Sequence, residues 1–327
     1  MAITLEQAKI GMADKVTQQV IDEFRRKSVL LDKMTFDDSV SPGTAGSTLV
    51  YGYQRLETPA SAEFREINTE YQDQHAVRKL LTARLAVFGG SFAIDRVLAQ
   101  SSSKSIDEVA FQMGEKIKAA TNHFHYHVIN GDTAVQEHGF DGLNKALKNS
   151  ITELNGDSVL DISTMEKLEA EKYVLIEAID SMLGELDGRA DALLVNNKLK
   201  VKLNTLAKIT GYYSQSEDAF GRPVDNFGSI PLVDLGFYAG VSSTDSVIKT
   251  EDRTVSTAQT GLTDIYAVRF GLDAFHGASI SGDKMIKTYL PDFTQPGAVK
   301  RGEVEFVATP VLKNTRGAGV LRNIKIK

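Results

Sequence analysis

Residues 59–99 read PASAEFREINTEYQDQHAVRKLLTARLAVFGGSFAIDRVLA. The first half of this stretch is polar and charged, and it carries no recognisable catalytic motif. Residues 76–88 instead alternate with a period of two, which predicts a β-strand with one mostly apolar face made of Val77, Leu81, Ala83, Leu85 and Val87. The Gly89–Gly90 pair then predicts a turn, after which SFAIDRVLA returns the chain to the body of the protein.

The partner of this strand is predicted in the preceding segment. Residues 41–57 read SPGTAGSTLVYGYQRLE and pass from turn residues into a Tyr- and Val-bearing strand pattern. Together with residues 76–88 they predict a long two-stranded hairpin with a large polar excursion at its tip. Because a two-stranded hairpin is marginal alone and exposes two edges, the pattern suggests that neighbouring chains complete the fold.

The segments on either side of the hairpin predict two further helical features. Residues 17–34 place Val20, Phe24 and Leu31 on one stripe of a short N-terminal helix, which must dock on its own body or on a neighbouring subunit. After the hairpin, Ser105 and Glu108 form a capping-box pattern. Apolar residues then recur every three or four positions for about 25 residues, predicting a spine helix on the order of 37 Å long.

From residue 150 onward the pattern is mixed α/β. A second capping box, at Ser163 and Glu166, precedes an amphipathic helix. Residues 191–195, DALLV, predict a buried strand followed by a helix, and residues 211–228 predict a long loop. Further strands are predicted within SIPLVDL, DIYAVRFGL, KMIKTYL and VEFVATPVL.

Composition excludes several classes of protein. The 327 residues are 42% hydrophobic, which supports a packed core, and they include no cysteine, which excludes disulfides, thiolate metal sites and thiol nucleophiles. The net charge of −6 disfavours a sequence-reading nucleic-acid binder. No secretory pattern opens the sequence and no run of apolar residues is long enough for a membrane span, so we expect a protein made in the cytoplasm.

The motif HFHYH is the strongest candidate for chemistry. His123 and His127 are one helical turn apart and can share a metal ion, with His138 as a distant third ligand. Phe124, however, occupies the position where a metalloprotease helix carries its glutamate. A metal-dependent hydrolase using His123 and His127 stays open only as a minor alternative. We expect no catalytic, cofactor-binding or metal residues.

The order of these elements resembles that of the major capsid proteins of tailed bacteriophages, which have the Hong Kong 97-type fold. The text that carries the resemblance is RLAVFGGSFAIDRVLA followed directly by the spine helix, PASAEFREINTEY as a loop tip, GFDGLNKAL at 139–147 and FGRPVDNFGSIPLVDLG at 220–236. The likeness spans about residues 15–327, and it depends on order and spacing more than on any single motif.

The resemblance implies an α+β capsid fold with four parts. They are an N-terminal arm at 1–45, an extended loop at 46–90, a peripheral domain at 91–150 and 290–327 with its spine helix at 105–131, and an axial α/β domain at 151–289. In such a fold the extended loop lies across a neighbouring subunit. Its charged side chains are then candidates for complementary contacts between subunits: Glu63, Arg65, Glu66, Glu70, Arg78 and Arg84.

The same resemblance implies a structural function. We expect self-assembly into hexamers and pentamers of an icosahedral phage head, in the host cytoplasm, around double-stranded DNA that is enclosed without sequence-specific binding. If Met1 is the initiator, a separate scaffolding protein is expected, together with a portal and possible decoration proteins. No lysine lies between Lys33 and Lys79, so no lysine cross-link from the loop tip is expected. An encapsulin-like compartment that stores an enzyme cargo is the alternative within this fold.

Overall fold

A computed structural model describes residues 29–40, 49–58, 60–97, 108–211, 213–217, 223–240, 243–280 and 286–327. Its helices, in chain order, are α1 Val29–Lys33, α2 Glu108–Asn130, α3 Leu143–Ala146, α4 Met165–Gly184 and α5 Asn197–Thr210. Its strands are β1 Phe36–Val40, β2 Val50–Thr58, β3 Val77–Arg84, β4 Ala86–Asp95, β5 Glu153–Leu154, β6 Leu160–Asp161, β7 Ala192–Val195, β8 Tyr213–Glu217, β9 Pro223–Phe227, β10 Ile230–Asp234, β11 Phe237–Gly240, β12 Ser243–Ser246, β13 Glu251–Val255, β14 Thr257–Val268, β15 Phe275–Ile280, β16 Ile286–Tyr289, β17 Val299–Leu312 and β18 Ala318–Lys325.

The first sheet carries the spine helix. Its strand order is β1-β15-β17-β16. In addition, every residue of β4 pairs antiparallel with the first ten residues of the long strand β17. Helix α2 packs on this sheet through apolar side chains spaced three and four apart, because that spacing places them on one helical face: Met113, Ile117, Ala120, Phe124 and Val128. The aromatic centre of this core is Phe88, Phe124 and Phe306, with ring centroids 4.6–5.7 Å apart.

The Gly89–Gly90 pair does not turn the chain. Both glycines lie inside β4, which runs on through them in register with β17. The physical reason is close approach of two backbones: a Cβ added to Gly89 would lie 1.9 Å from the carbonyl oxygen of Val304. The sequence prediction of a turn was therefore wrong, and the glycines serve strand pairing instead.

The second sheet forms the other half of the molecule. Its strands follow the order β5-β18-β14-β7-β10-β9-β8, with β13 on β14 and β6 on β18. Helices α4 and α5 bury their leucine-rich faces against it in a second core. The predicted strand at 191–195 and the helix behind it are confirmed as β7 and α5.

A buried ionic network links strands of the second sheet to one another and to helix α3. Arg322 donates from Nε to Glu153 at 2.7 Å and from Nη1 to Asp264 at 3.2 Å, and it also bonds the side chain of Asn144. Arg253 donates to both oxygens of Asp264 on the other side. The buried carboxylate of Asp264 is thus held by two guanidinium groups, which offsets the cost of removing it from water.

The strand pairings cross the predicted boundary between the peripheral and axial segments at residue 290. Strand β18 lies in the predicted peripheral segment 290–327, yet it pairs with β14 in the second sheet. Strands β15 and β16 lie in the predicted axial segment 151–289, yet they pair with β17 in the first sheet. The C-terminal part of the chain therefore contributes strands to both sheets. Local sequence patterns do not predict this, because the paired strands lie far apart in the sequence.

Three local predictions differ in detail from the structure. Helix α4 is capped by Thr164, whose side chain accepts from the backbone of Lys167, because Ser163 instead bonds Asp161. The predicted loop at 211–228 contains the hairpin β8–β9. The described spine helix is Glu108–Asn130, and Ser105 of the predicted cap lies outside the described residues, as do residues 1–28 of the predicted arm.

Candidate assembly interface

The predicted extended loop is a two-stranded hairpin of β2 and β3. Val50 pairs with Arg84 at the base and Thr58 with Val77 near the tip. The pairing is shorter than the predicted 76–88, because the chain bends at the buried residue Leu85 and then joins the first sheet as β4. In the structure, β2 and β3 pair with each other in a sheet of two strands, so most of the hairpin projects from the body.

The base of the hairpin is fixed by a small core and one arginine. Tyr51 and Leu85 pack with Val307 and Val311 of β17 in a separate apolar cluster. On the same strand as Tyr51, the Nε of Arg55 donates to the backbone oxygen of Lys313 at 2.8 Å. The hairpin therefore leaves the body in a set direction.

A polar joint lies beside this core, where arm, hairpin and sheet meet. The hydroxyl of Tyr51 donates to Asp37 of β1 at 2.7 Å, and Nε2 of His276 lies 3.4 Å from the same hydroxyl. Burial, reinforced by the charge of Lys313, lowers the pKa of His276 to about 4. Although burial alone would raise the pKa of Asp37, the hydrogen bond from Tyr51 lowers it. The joint thus holds a neutral imidazole and an ionised carboxylate near neutral pH.

The hairpin tip, residues 60–76, has an internal order of its own. Arg65 donates from Nη1 to the backbone oxygens of Glu66 and Thr69, at 3.2 and 3.1 Å, and its guanidinium lies 5.3 Å from the ring centre of Tyr71. Across the tip, Glu63 accepts from the backbone N–H of Gln72 at 2.8 Å. These contacts, all between residues of the tip itself, close the excursion into a defined loop.

The tip exposes apolar side chains to solvent. Phe64 is fully exposed and Ile67 is 89% exposed, and Tyr71 beside them is 60% exposed. Leu80, on the outer side of β3, is exposed as well. A projecting, ordered loop with two bare apolar residues is typical of a surface that another protein covers.

All six predicted contact residues lie on the exposed hairpin. The structure brings Glu63, Arg65, Glu66 and Glu70 together in the tip and places Arg78 and Arg84 along β3. Two of them, Arg65 and Glu63, also form hydrogen bonds within the tip of their own chain. Whether these charges meet partners on another subunit stays a prediction.

The sequence does not predict Phe64 and Ile67 as interface residues, because the surrounding segment is mostly polar and charged. The available signal was the isolation of these two apolar side chains in a stretch with no strand or helix period. Such a pattern cannot bury them within the tip itself.

A cleft of about 560 Å³ lies between the hairpin base and the body. It is lined by Tyr53 and Arg84 of the hairpin, by Pro310 of β17 and by Gly139, Phe140 and their neighbours after the spine helix. The base of the hairpin therefore lies beside residues 139–141 of its own chain, whereas the tip lies at the far end of the strands.

A second, more apolar pocket of about 310 Å³ opens nearby, between β4, the spine helix and residues 136–140. Its walls include Val87, Phe88 and Phe140, with His123 and His127 from the helix and His138 on the rim. The ring of Phe88 lies 6.1 Å from that of His123 and 6.4 Å from that of Phe140, centre to centre. We call this the aromatic pocket.

The histidines of the HFHYH motif are occupied by protein contacts. Nδ1 of His127 lies 2.9 Å from the backbone oxygen of His123, and Nε2 lies 2.8 Å from Oε1 of Gln136, so both ring nitrogens of His127 have partners. Burial, with the nearby His127, lowers the pKa of His123 to about 4. In the part of the chain that the structure describes, no three His, Asp or Glu side chains are arranged to hold a metal ion.

None of the helices in the described ranges has the length and apolar composition of a membrane-spanning helix. No protein-family model matches the sequence, and no curated protein is detectably similar to it.

Solved structures, in contrast, match nearly the whole chain. The holo-SrpI encapsulin complex of Synechococcus elongatus PCC 7942 is 12% identical with a TM-score of 0.55, covering 93% of this chain and 95% of that one. A chain of Mycobacterium phage Bobi is also 12% identical with a TM-score of 0.55, covering 90% of each chain. The capsid of a native GTA particle is 11% identical with a TM-score of 0.54, covering 85% of this chain and 86% of that one. With its projecting hairpin, spine helix and two sheets, the chain has the Hong Kong 97-type capsid fold.

Proposed function

We propose that this chain is the major capsid protein of a tailed bacteriophage, a structural subunit that self-assembles into hexamers and pentamers of an icosahedral head around double-stranded DNA. The observation that carries the proposal is the ordered hairpin whose apolar tip is not covered by any of the described residues. The fold, shared with a chain of Mycobacterium phage Bobi and with the capsid of a native GTA particle, supports it.

A structural role also agrees with the chemistry of the chain. The described residues hold no arrangement for metal binding, and His127 is fully engaged by Gln136 and a backbone oxygen. The net charge of −6 suits a shell that encloses DNA without gripping it. We propose a non-enzymatic protein of the virion capsid, assembled in the host cytoplasm with a separate scaffolding protein and a portal.

An encapsulin-like compartment is the second candidate. A specific observation favours it, since the encapsulin complex matches with the same TM-score as the phage chain. The two candidates differ in content: a phage head packages nucleic acid, whereas a compartment of this kind stores protein cargo.

The test is expression of the chain alone and with a candidate scaffolding protein, followed by electron microscopy and the 260/280 nm absorbance ratio of purified particles. The phage proposal predicts closed shells that depend on, or become uniform with, the scaffolding protein. Uniform shells formed by the chain alone, which co-purify with a co-expressed cargo enzyme, would favour the compartment.

A further inference from the structure

The hairpin tip and the aromatic pocket are two solvent-exposed apolar features of complementary shape: the tip projects and the pocket is concave. Phe64 at the tip is fully exposed, and Val87 on the pocket wall is 53% exposed. The pocket volume of about 310 Å³ is within the range that small ligands or a single large side chain occupy.

The tip cannot reach the pocket of its own chain. Gly139 and Phe140 line both the aromatic pocket and the cleft at the hairpin base, so the pocket lies beside that base. Strand β2 has nine residues, and at about 3.3 Å per residue the tip lies roughly 30 Å away from the base. The pocket that receives a tip must therefore belong to another copy.

The two surfaces also have complementary polar groups. Glu63 and Arg65 flank Phe64 on the tip, while His138 and Glu137 lie on the pocket rim. In the orientation that places Glu63 beside His138, docking would pair a carboxylate with an imidazole and the guanidinium of Arg65 with the carboxylate of Glu137. Residues 60–76 carry four carboxylates and one arginine, whereas Lys116 lies beside β4 near Gly90 and adds a cation on the receiving side.

We propose that Phe64 of one copy inserts into the aromatic pocket of the next copy, against Val87, Phe88, His123 and Phe140. This proposal rests on the shell-forming function proposed above and names the residues that join neighbours. Each copy in a shell would give its tip to one neighbour and receive a tip from another, so the contact is head-to-tail, and contacts of this kind generate closed rings or open chains of copies.

The absence of cysteine from the sequence permits a direct test by site-specific cross-linking. The test chain carries Ala62→Cys and His138→Cys, two exposed positions that leave Glu63, Phe64 and the pocket wall intact. The matched control carries Ala62→Cys and Tyr173→Cys, since Tyr173 is exposed on α4, away from the first sheet. Assembled particles of each are treated with a short bismaleimide and separated on denaturing gels.

The proposal predicts a ladder of covalent multimers from the test chain and almost none from the control. Particles that assemble but give no ladder, or the same ladder from both chains, would overturn the docking while leaving the shell function intact. Failure of both Cys chains and of the unmodified chain to form any assembly would overturn the shell function, and the docking with it.

A second measurement reports the energetic role of Phe64. Phe64→Ala should raise the protein concentration needed for assembly by roughly tenfold or more, because one buried aromatic contact per subunit is lost. Leu80→Ala, an equally conservative change on the exposed side of β3, should change it by less than about threefold. Equal effects of the two substitutions would contradict a specific role for Phe64.

Discussion

At the scale of single residues, Gly89 shows how one missing Cβ permits the first sheet to form. Gly89→Ala should destabilise the fold by about 1–3 kcal/mol or more, because the added carbon would lie 1.9 Å from the carbonyl oxygen of Val304 and would push β4 away from β17. Urea unfolding followed by circular dichroism measures the effect.

Gly114→Ala is the matched control for that substitution. Gly114 lies inside the spine helix, and an added Cβ there meets no atom within 4 Å. It should therefore stabilise the protein by about 0.5–1 kcal/mol through helix propensity. Equal destabilisation by both changes would mean that close strand approach is not the reason for glycine at position 89.

Arg322 is the residue on which the buried ionic network depends. Arg322→Leu should lower the free energy of unfolding by about 3 kcal/mol, because it leaves Glu153 without its ion pair and Asp264 with Arg253 alone. Lys118→Ala, which removes an exposed ion pair with Glu115 on the spine helix, should cost less than about 1 kcal/mol. A loss from Arg322→Leu as small as that from Lys118→Ala would contradict the proposed role of the network.

Buried histidines make stability depend on pH. Burial lowers the pKa of both His125 and His276 to about 4 in the folded chain, well below the usual 6.5. Between pH 4 and pH 6.5 these histidines bind more protons in the unfolded chain than in the folded one. The free energy of unfolding is therefore highest above about pH 6.5 and decreases as the pH falls towards 4.

His276→Gln should reduce this acid sensitivity. The comparison is the midpoint of thermal unfolding at pH 4.5 and pH 7.5: the drop between them should be smaller in the variant than in the original chain. His138→Gln, at an exposed position, is the control and should leave the drop unchanged. An identical drop in all three proteins would show that His276 does not carry the effect.

At the scale of elements, the hairpin combines a fixed base with a bare tip. Arg55 donates to the backbone oxygen of Lys313, whereas Arg78 contacts Gln54 only across the hairpin. Arg55→Ala should therefore speed amide hydrogen exchange in β2 and β3 several-fold with little change in global stability. Arg78→Ala should leave the exchange rates near those of the original chain, and an equal acceleration by both would contradict the anchoring role.

The elements also show what the sequence could and could not predict. Helices α2, α4 and α5 follow from apolar spacing alone, because each buries one face locally. The sequence does not predict strand β18, and it wrongly predicts a turn at Gly89. Both depend on partners far away in the chain, since β18 pairs with β14, and β4, which contains Gly89, pairs with β17. In the candidate interface the sequence predicts the charges, whereas Phe64 and Ile67 are identified by their exposure in the structure.

At the scale of the whole molecule, the two sheets are supported by buried apolar cores, whereas the hairpin tip leaves its apolar side chains exposed. The two cores bury one face each of the spine helix, α4 and α5, while residues 60–76 are exposed to solvent within the described part of the chain. Replacing Phe64 and Ile67 together with aspartate should therefore leave the unfolding midpoint nearly unchanged and block assembly, as measured by thermal melting and sedimentation velocity. A lower melting point with assembly intact would show that the tip serves the fold and not the contacts between copies.

The most direct test of the account is electron microscopy of the purified chain, expressed alone and then with a candidate scaffolding protein. Closed shells, or the pentamers and hexamers that build them, are the predicted result. A monodisperse monomer under both conditions would contradict the proposed shell-forming function.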